Sequence, residues 1–317
     1  MSNATFDPAM CTVETCSVKE YGQIAYIPTF AGNVAYLAIF GALIAAQCFQ
    51  GIRFKTWGFM IAMICGLLLE IVGYVGRIML HDNIFNNDSF IIYLVGLTIG
   101  PAFITAAIYL CLGRIITIYS VDLSLLKPKW ITIIFVSCDF VALLLQAAGG
   151  AITASADDED GSQMGIDIMI AGLASQVASM GLFCGICGHF AWKVLRNPVK
   201  LDSRFTELRR SRRFRGMLFA IGLAVITILI RSIFRLIELQ EGFDGKLANN
   251  ELDFMILEGP MIFIGVIGLT IWHPGFALGA RLWVDAGFHF LKSHDSGSQS
   301  AGQYKIGDDS TTDIMMV

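Results

Sequence analysis

The chain has 317 residues, of which 55% are hydrophobic and only 15% are charged, and its mean hydropathy is +0.65. This composition argues against a soluble globule with a polar surface and indicates a membrane protein with several spans. The formal net charge of -4 decides little, because a membrane protein is oriented by how its charges are distributed between the two sides.

Seven apolar stretches reach the length of about 20 residues that is needed to cross the hydrocarbon core of a bilayer. They lie at residues 27–49, 58–79, 90–113, 131–153, 166–192, 216–239 and 254–278. We therefore predict an all-α membrane protein whose single transmembrane domain is a seven-helix bundle over residues 27–280. We expect an extracellular tail over residues 1–26 and a cytoplasmic, disordered tail over residues 281–317.

The basic residues predict the orientation of the bundle. With the N-terminus outside, 17 of the 22 Lys and Arg residues lie in cytoplasmic segments, two lie in outer segments and three lie within spans. This distribution follows the positive-inside rule, so we place the N-terminus outside and the C-terminus in the cytoplasm. The five tryptophans fall near the cytoplasmic span ends, where indole rings anchor in the headgroup region. The arginine-rich run ELRRSRRFRG at residues 207–216 suits contact with anionic lipids of the inner leaflet.

Two kinds of modification are expected on the outer side. Asn3 and Asn87 begin N-glycosylation sequons. Cys11 and Cys16 lie in the outer tail, where the surroundings permit a disulfide. We expect the other six cysteines, within the spans, to act as small apolar residues.

Ionisable side chains within the spans are candidates for a functional site, because burying them in a membrane is expensive. Helical spacing places these polar residues on one face each of the second, fourth and sixth spans, and one more in the seventh. The candidate ligand-binding residues are Glu70, Tyr74, Arg77, Asp139, Gln146, Arg231, Arg235, Glu238 and Glu258. From the helical rise, only Asp139 belongs to the cytoplasmic half of the membrane.

The charges of this set suggest that three arginines and three carboxylates converge around a polar cavity. Arg231 and Arg235 are like charges one helical turn apart, so they need an acid from another helix or an anionic ligand between them. A purely structural network of salt bridges is the alternative, although an apolar core would stabilise the bundle equally well.

Several motifs at these positions resemble the fungal lipid-translocating exporter family, seven-span proteins named for resistance to aminocholesterol. The motifs are YIPTFAGNVAY, EIVGYVGR, GPAFITAAIY, DFVALLLQAAGG, RSIFRLIELQEG, ELDFMILEGP and HPG. The resemblance implies the handling of an amphipathic lipid, and we expect its movement without ATP, with sphingoid long-chain bases as the first expectation and sterol analogues or haem and porphyrins as alternatives. We further expect a multi-pass protein of the plasma membrane that is not an enzyme and has no cofactor, metal or nucleic-acid partner.

Three other classes of seven-span protein are weighed against this resemblance. A receptor or lipid sensor shares the topology, but no acid precedes Arg114 and no Asn-Pro-x-x-Tyr run occurs in the seventh span. A light-driven pump needs a lysine in the last span, which residues 254–278 lack. A zinc hydrolase needs clustered His and acid ligands, and the predicted spans contain no such cluster. The sequence also lacks a P-loop motif for binding ATP.

Overall fold

A computed structural model of the protein describes residues 16–18, 22, 24–156, 158–198, 201, 203–240, 245 and 250–285. These residues form helices and no strands, and seven of the segments are long and apolar enough to cross a membrane. The first six spans are α1 (Phe30–Phe54), α2 (Trp57–Asp82), α3 (Asn87–Tyr119), α4 (Pro128–Ser155), α5 (Glu159–Arg196) and α6 (Arg212–Gln240). The seventh span contains α7 (Glu251–Leu257) and α8 (Gly259–Ile271), and α9 (Pro274–Asp285) follows it. The predicted seven-helix fold is confirmed.

The predicted orientation stays a prediction, so we name the two sides of the bundle by the chain alone. The N-terminal side is the one at which α1 begins, and the C-terminal side is the opposite one. All five tryptophans lie towards the C-terminal side, at the starts of α2 and α4, near the end of α5, at the end of α8 and within α9. This common level is typical of an interfacial belt.

Several helices continue past the apolar stretches that predict them. The third and fifth spans have 33 and 38 residues, where the sequence predicts 24 and 27. Helices of this length measure about 50 Å or more, so their ends project beyond a hydrocarbon core of about 30 Å. The first turns of α5 contain the polar run EDGSQ. A helix that has formed in the apolar stretch can extend into such a run, because each added residue forms one more backbone hydrogen bond.

The tail boundaries stay a prediction, and the structure describes the residues next to them. Ile24 and Pro28 are buried, so the segment that precedes α1 packs onto the bundle. On the other side, α9 continues to Asp285, five residues past the predicted domain end. The remaining C-terminal residues, from 286 onwards, lie outside the described part of the chain.

Helices α2 and α3 approach each other most closely along a row of glycines. A Cβ atom at Gly96 would lie 2.5 Å from the backbone nitrogen of Gly73, and one at Gly76 would lie 2.5 Å from the backbone nitrogen of Tyr93. No side chain larger than hydrogen fits at these positions without moving a backbone. The close approach encloses the polar face of α2, so both Glu70 and Arg77 are fully buried.

In two spans the backbone hydrogen bonding is interrupted and carbonyls are freed; α3 stays one helix across its interruption, whereas the seventh span divides into two helices. Pro101 lies inside α3, and a proline has no N–H to donate to the carbonyl four residues earlier, which belongs to Leu97. The seventh span breaks at Glu258, immediately before Gly259 and Pro260 in the first turn of α8. Both interruptions lie next to charged residues of the candidate site.

Candidate functional site

Two buried ion pairs form the centre of the candidate site. Arg231 of α6 pairs through Nη2 with Glu258 Oε1 at the break between α7 and α8. Arg235, one turn further along α6, pairs with Glu238 of the same helix at 2.6 Å between Nη1 and Oε2. The expected acid from another helix is therefore present for Arg231. All four side chains are buried.

Arg231 also donates a hydrogen bond to the backbone carbonyl of Leu97 in α3. Pro101 deprives that carbonyl of its normal partner within the helix, and the guanidinium replaces the missing donor. One side chain thus connects α6 with both interrupted spans. A similar repair occurs at the other break, where the Tyr36 hydroxyl donates to the carbonyl of Met255 at 2.9 Å.

Arg77 takes no part in these ion pairs, contrary to the expected convergence of three arginines with three acids. Its Nε donates to Asn33 Oδ1 at 3.2 Å, and its Nη2 donates to the Tyr26 hydroxyl at 3.1 Å. The guanidinium stacks 3.8 Å from the ring centroid of Phe254 and 5.1 Å from that of Tyr93. No carboxylate lies within 4.0 Å of it in the described part of the chain. Neutral acceptors and aromatic faces solvate this cation instead.

Tyr26 belongs to the segment that precedes α1, and it joins this segment to Arg77. Burial is the largest influence on its phenol and raises the pKa of Tyr26, so the hydroxyl stays neutral. The same segment is held by Pro28, whose carbonyl lies 2.8 Å from His81 Nδ1, and by Thr29, whose backbone N–H donates to Glu251 Oε1 at 2.5 Å. The N-terminal side of the site is therefore covered by residues 24–29.

Glu70, Tyr74 and Glu258 form what we call the acceptor site. Neither carboxylate oxygen of Glu70 has a hydrogen-bond partner among the described residues, and the same holds for the Tyr74 hydroxyl and for Glu258 Oε2. All three side chains are fully buried. Glu70 and Tyr74 are one turn apart on α2, and a Cβ atom at Gly259, the residue after Glu258, would lie 2.7 Å from the Tyr74 hydroxyl. Three unpartnered carboxylate oxygens and one unpartnered hydroxyl therefore lie in one small region.

Two narrow cavities adjoin the ion pairs. One is lined by Tyr93, Arg235 and Glu238 among others, and the second by Gln146, Arg231 and Arg235 among others. Each has a volume of about 20 Å³, which is room for about one water molecule. The site is therefore occluded, and a lipid headgroup enters only if helices move apart.

The two polar residues of α4 lie in different surroundings. Gln146 donates from Nε2 to Gln176 Oε1 of α5 at 3.1 Å and borders the second cavity. Asp139 accepts hydrogen bonds from Thr105 at 3.1 Å and from Tyr109 at 2.9 Å, and no described residue of the ion pairs is among its partners. The structure thus separates Asp139 from the other candidates, in agreement with its predicted depth, and its ligand-binding role stays a prediction.

Several partners of the site were not predictable from the sequence. Asn33, Tyr36 and Gln176 are polar residues within spans. Because they are neutral, burying them in a membrane costs less than burying a charge, and they did not stand out as candidates. The Leu97 carbonyl was signalled only indirectly, by Pro101 four residues later. Sequence alone could not assign these partners, because they depend on how the helices are rotated against one another.

The predicted modification sites are only partly described. Cys16 is disulfide-bonded, while its predicted partner Cys11 and the sequon residue Asn3 lie outside the described residues. Asn87 is exposed and is the first residue of α3 rather than part of a loop. Ser89 of the same sequon is buried. Both glycosylation sites and the Cys11–Cys16 pairing stay predictions.

Comparison with known proteins assigns the chain to a family. The family model described as RTA1 like protein matches residues 63–281, a range that contains every candidate ligand-binding residue. The chain belongs to the RTA1-like family. The resemblance inferred from the sequence motifs is thereby confirmed, and this RTA1-like protein is a multi-pass membrane protein.

Named relatives of this RTA1-like protein come from yeast. It is 34% identical to the sphingoid long-chain base transporter RSB1 of Saccharomyces cerevisiae (strain Lalvin EC1118) over 312 residues, covering 89% of this chain and 81% of the relative. It is 30% identical to Protein RTA1 of S. cerevisiae (strain S288c), covering 68% of this chain and 66% of the relative. Protein RTM1 of S. cerevisiae is 29% identical, covering 67% of each chain. No solved structure matches the chain significantly.

Proposed function

We propose that this protein moves sphingoid long-chain bases across the plasma membrane without ATP and so confers tolerance to toxic amphipathic lipids. The observation that carries the proposal is the acceptor site, where four buried oxygen atoms of Glu70, Tyr74 and Glu258 have no partner among the described residues. Buried acceptors of this kind need donors. A sphingoid base brings an ammonium and hydroxyl groups, all of which donate.

The signs of the charges favour a cationic headgroup over an anionic one. Arg231 and Arg235 are each paired with a carboxylate, and Arg77 is held by neutral groups and rings. Single nitrogens of Arg77 and Arg231 remain unpartnered in the described structure, but both guanidiniums are already engaged. Porphyrins carry carboxylates and would compete for these arginines, whereas an ammonium meets the unpartnered carboxylate oxygens directly.

The ion pairs then serve to hold the acceptor site in place. Arg231 fixes Glu258 by one oxygen and leaves Oε2 available. The hydrocarbon chain of the lipid remains among apolar side chains between the helices, where its transfer costs little. The ligand-binding set comprises Glu70, Tyr74, Arg77, Gln146, Arg231, Arg235, Glu238 and Glu258, and Asp139 marks a separate polar position towards the C-terminal side.

The same proposal includes the type of activity and the lipids that the protein contacts. The similarity to a yeast protein named as a sphingoid base transporter supports transport rather than catalysis, and no cofactor or nucleic acid takes part. Arg210, Arg212, Arg213 and Arg215 are exposed at the start of α6, on the C-terminal side of the bundle. We assign this surface to the cytoplasm, where it contacts anionic lipids of the inner leaflet.

Release of labelled lipids from cells with and without the protein tests the proposal. We expect faster release of sphingoid bases from cells that contain the protein and no difference for porphyrins. Sterol analogues in the same series test whether a planar apolar ligand with a single hydroxyl is also carried. Equal release of every lipid with and without the protein would refute transport and favour the lipid-sensor alternative.

A further inference from the structure

Glu70 differs from the other buried acids of the N-terminal half of the bundle. Glu258 and Glu238 each receive a hydrogen bond from an arginine, whereas neither oxygen of Glu70 has a donor among the described residues. The side chain is fully buried and packs against α3, where a Cβ atom at Gly100 would lie 3.0 Å from Glu70 Oε1.

The charged groups that face Glu70 come from two neighbouring elements. Arg231 and Arg235 of α6 favour an ionised carboxylate, and Glu258 at the α7–α8 break opposes it. Tyr74 is the titratable neighbour on α2 itself, and the adjoining α3 positions, Gly100 and Leu97, carry no titratable side chain. Because both arginines are committed to other acids, neither gives Glu70 a hydrogen bond. An ionised carboxylate without any donor is too costly to bury, so the occluded form holds Glu70 with a proton.

We propose that Glu70 is a proton-binding residue that exchanges its proton for the ammonium headgroup of the lipid. This inference rests on the proposed function and adds that lipid transport is coupled to protons. When the headgroup enters the acceptor site, Glu70 loses its proton to solvent and pairs with the ammonium as a carboxylate. When the headgroup leaves, a proton returns to Glu70. One cation replaces another, so the site keeps the same charge throughout the exchange.

The exchange also changes the electrostatic forces on Arg231. Arg231 connects α3 and the α7–α8 break by contacts with Leu97 and Glu258. An ionised Glu70 attracts the same guanidinium, so deprotonation weakens the connection between the two interrupted spans. Protonation of Glu70 therefore stabilises the closed arrangement, and headgroup binding favours its opening.

Proton release on binding tests this inference directly. The probe is N,N,N-trimethylsphingosine, whose quaternary ammonium cannot carry a proton itself, added to the purified full-length protein in detergent. Binding heats measured in two buffers of different ionisation enthalpy yield the number of protons released. We expect about one proton for the wild type, and an affinity that falls by up to about tenfold per unit decrease in pH, the slope of a single exchanged proton.

The variant Glu70→Gln mimics the protonated acid and is expected to bind the probe more weakly and to release no proton. Asp167→Asn is the matched control, because Asp167 is an exposed acid of α5, and it should release a proton as the wild type does. Elution of each variant as a single monodisperse peak in size-exclusion chromatography controls for folding. If Glu70→Gln fails that control, Glu70→Asp replaces it and should still release about one proton.

The possible outcomes separate this inference from the proposed function. If the wild type binds neither the probe nor an unmodified sphingoid base, the proposed function is wrong and this inference with it. Binding without proton release would overturn the proton exchange while leaving the proposed function intact. Proton release that persists in Glu70→Gln would also overturn the assignment to Glu70.

Discussion

Arg231 joins the two spans whose backbone hydrogen bonding is interrupted. It reaches the carbonyl that Pro101 leaves free in α3 and the acid at the break of the seventh span. A buried ion pair stabilises a fold no better than a well-packed apolar pair of similar size. The pair is therefore best explained by what it holds in place, namely the unpartnered oxygen of Glu258 and the two interrupted helices.

The change Glu258→Gln removes the ionic partner of Arg231 while keeping the shape of the side chain. Stranding a buried charge costs about 3–5 kcal/mol, so we expect less folded protein at the cell surface and slower lipid release per molecule that arrives. Surface labelling combined with a release assay measures both quantities, with Asp167→Asn as a control. Normal surface amount together with wild-type release would show that the charged residues are only scaffolding.

The contacts of Arg77 depend on its planar guanidinium and not on its charge alone. A lysine in its place keeps the charge but loses the stacking on Phe254 and the geometry that reaches both Asn33 and Tyr26. We expect Arg77→Lys to destabilise the purified protein by about 1–3 kcal/mol, measured as a lower melting temperature. Arg53→Lys is the matched control, because Arg53 is exposed and should leave the melting temperature unchanged. Equal melting temperatures for both variants would contradict the role assigned to these contacts.

Sequence patterns predicted which residues are costly to bury, but not their partners. Each of the nine candidate residues proves to be buried, as the cost of charge in a membrane implies. Partner choice was not predictable, because it depends on helix rotation and on freed backbone groups such as the Leu97 carbonyl. For this reason the solvation of Arg77 by neutral groups and the missing donor of Glu70 became visible only in the structure.

At the scale of elements, the α2–α3 contact determines how deeply the polar residues are enclosed. Glycines on both helices bring the two backbones together, and the polar face of α2 is sealed by α3. The apolar lengths predicted that both helices exist, since about 20 apolar residues suffice for that inference. The helix ends and the break at Glu258 were less predictable, because polar turns extend a helix without changing its apolar core.

The glycine contact predicts a difference between two conservative changes. Gly96→Ala places a methyl group 2.5 Å from the Gly73 backbone nitrogen, and we expect a loss of about 1–3 kcal/mol from the resulting strain. Gly181→Ala places the same group where nothing lies within 4 Å, and a small gain in helix stability is expected. Thermal unfolding of the two purified variants measures the contrast. Equal stability of both would contradict the close approach of α2 and α3.

At the scale of the whole molecule, the orientation of the bundle rests on charge distribution and on the tryptophan level. Opposite sides should therefore be accessible to an epitope tag inserted after Gly245 and to one inserted after Glu207, each in a separate variant. We expect antibody to bind the first tag on intact cells and the second only after permeabilisation. The reverse result would invert the topology and place the arginine-rich surface outside the cell.

The most direct test of cation recognition by the buried acids compares two ligands that differ only at the nitrogen. Dihydrosphingosine carries an ammonium, and its N-acetyl derivative carries a neutral amide on an otherwise identical molecule. Hydrogen bonds to charged groups contribute about 1.5–3 kcal/mol, so we expect the purified protein to bind dihydrosphingosine roughly 10- to 100-fold more tightly. Equal affinity for the two ligands would contradict recognition of the ammonium by Glu70 and Glu258.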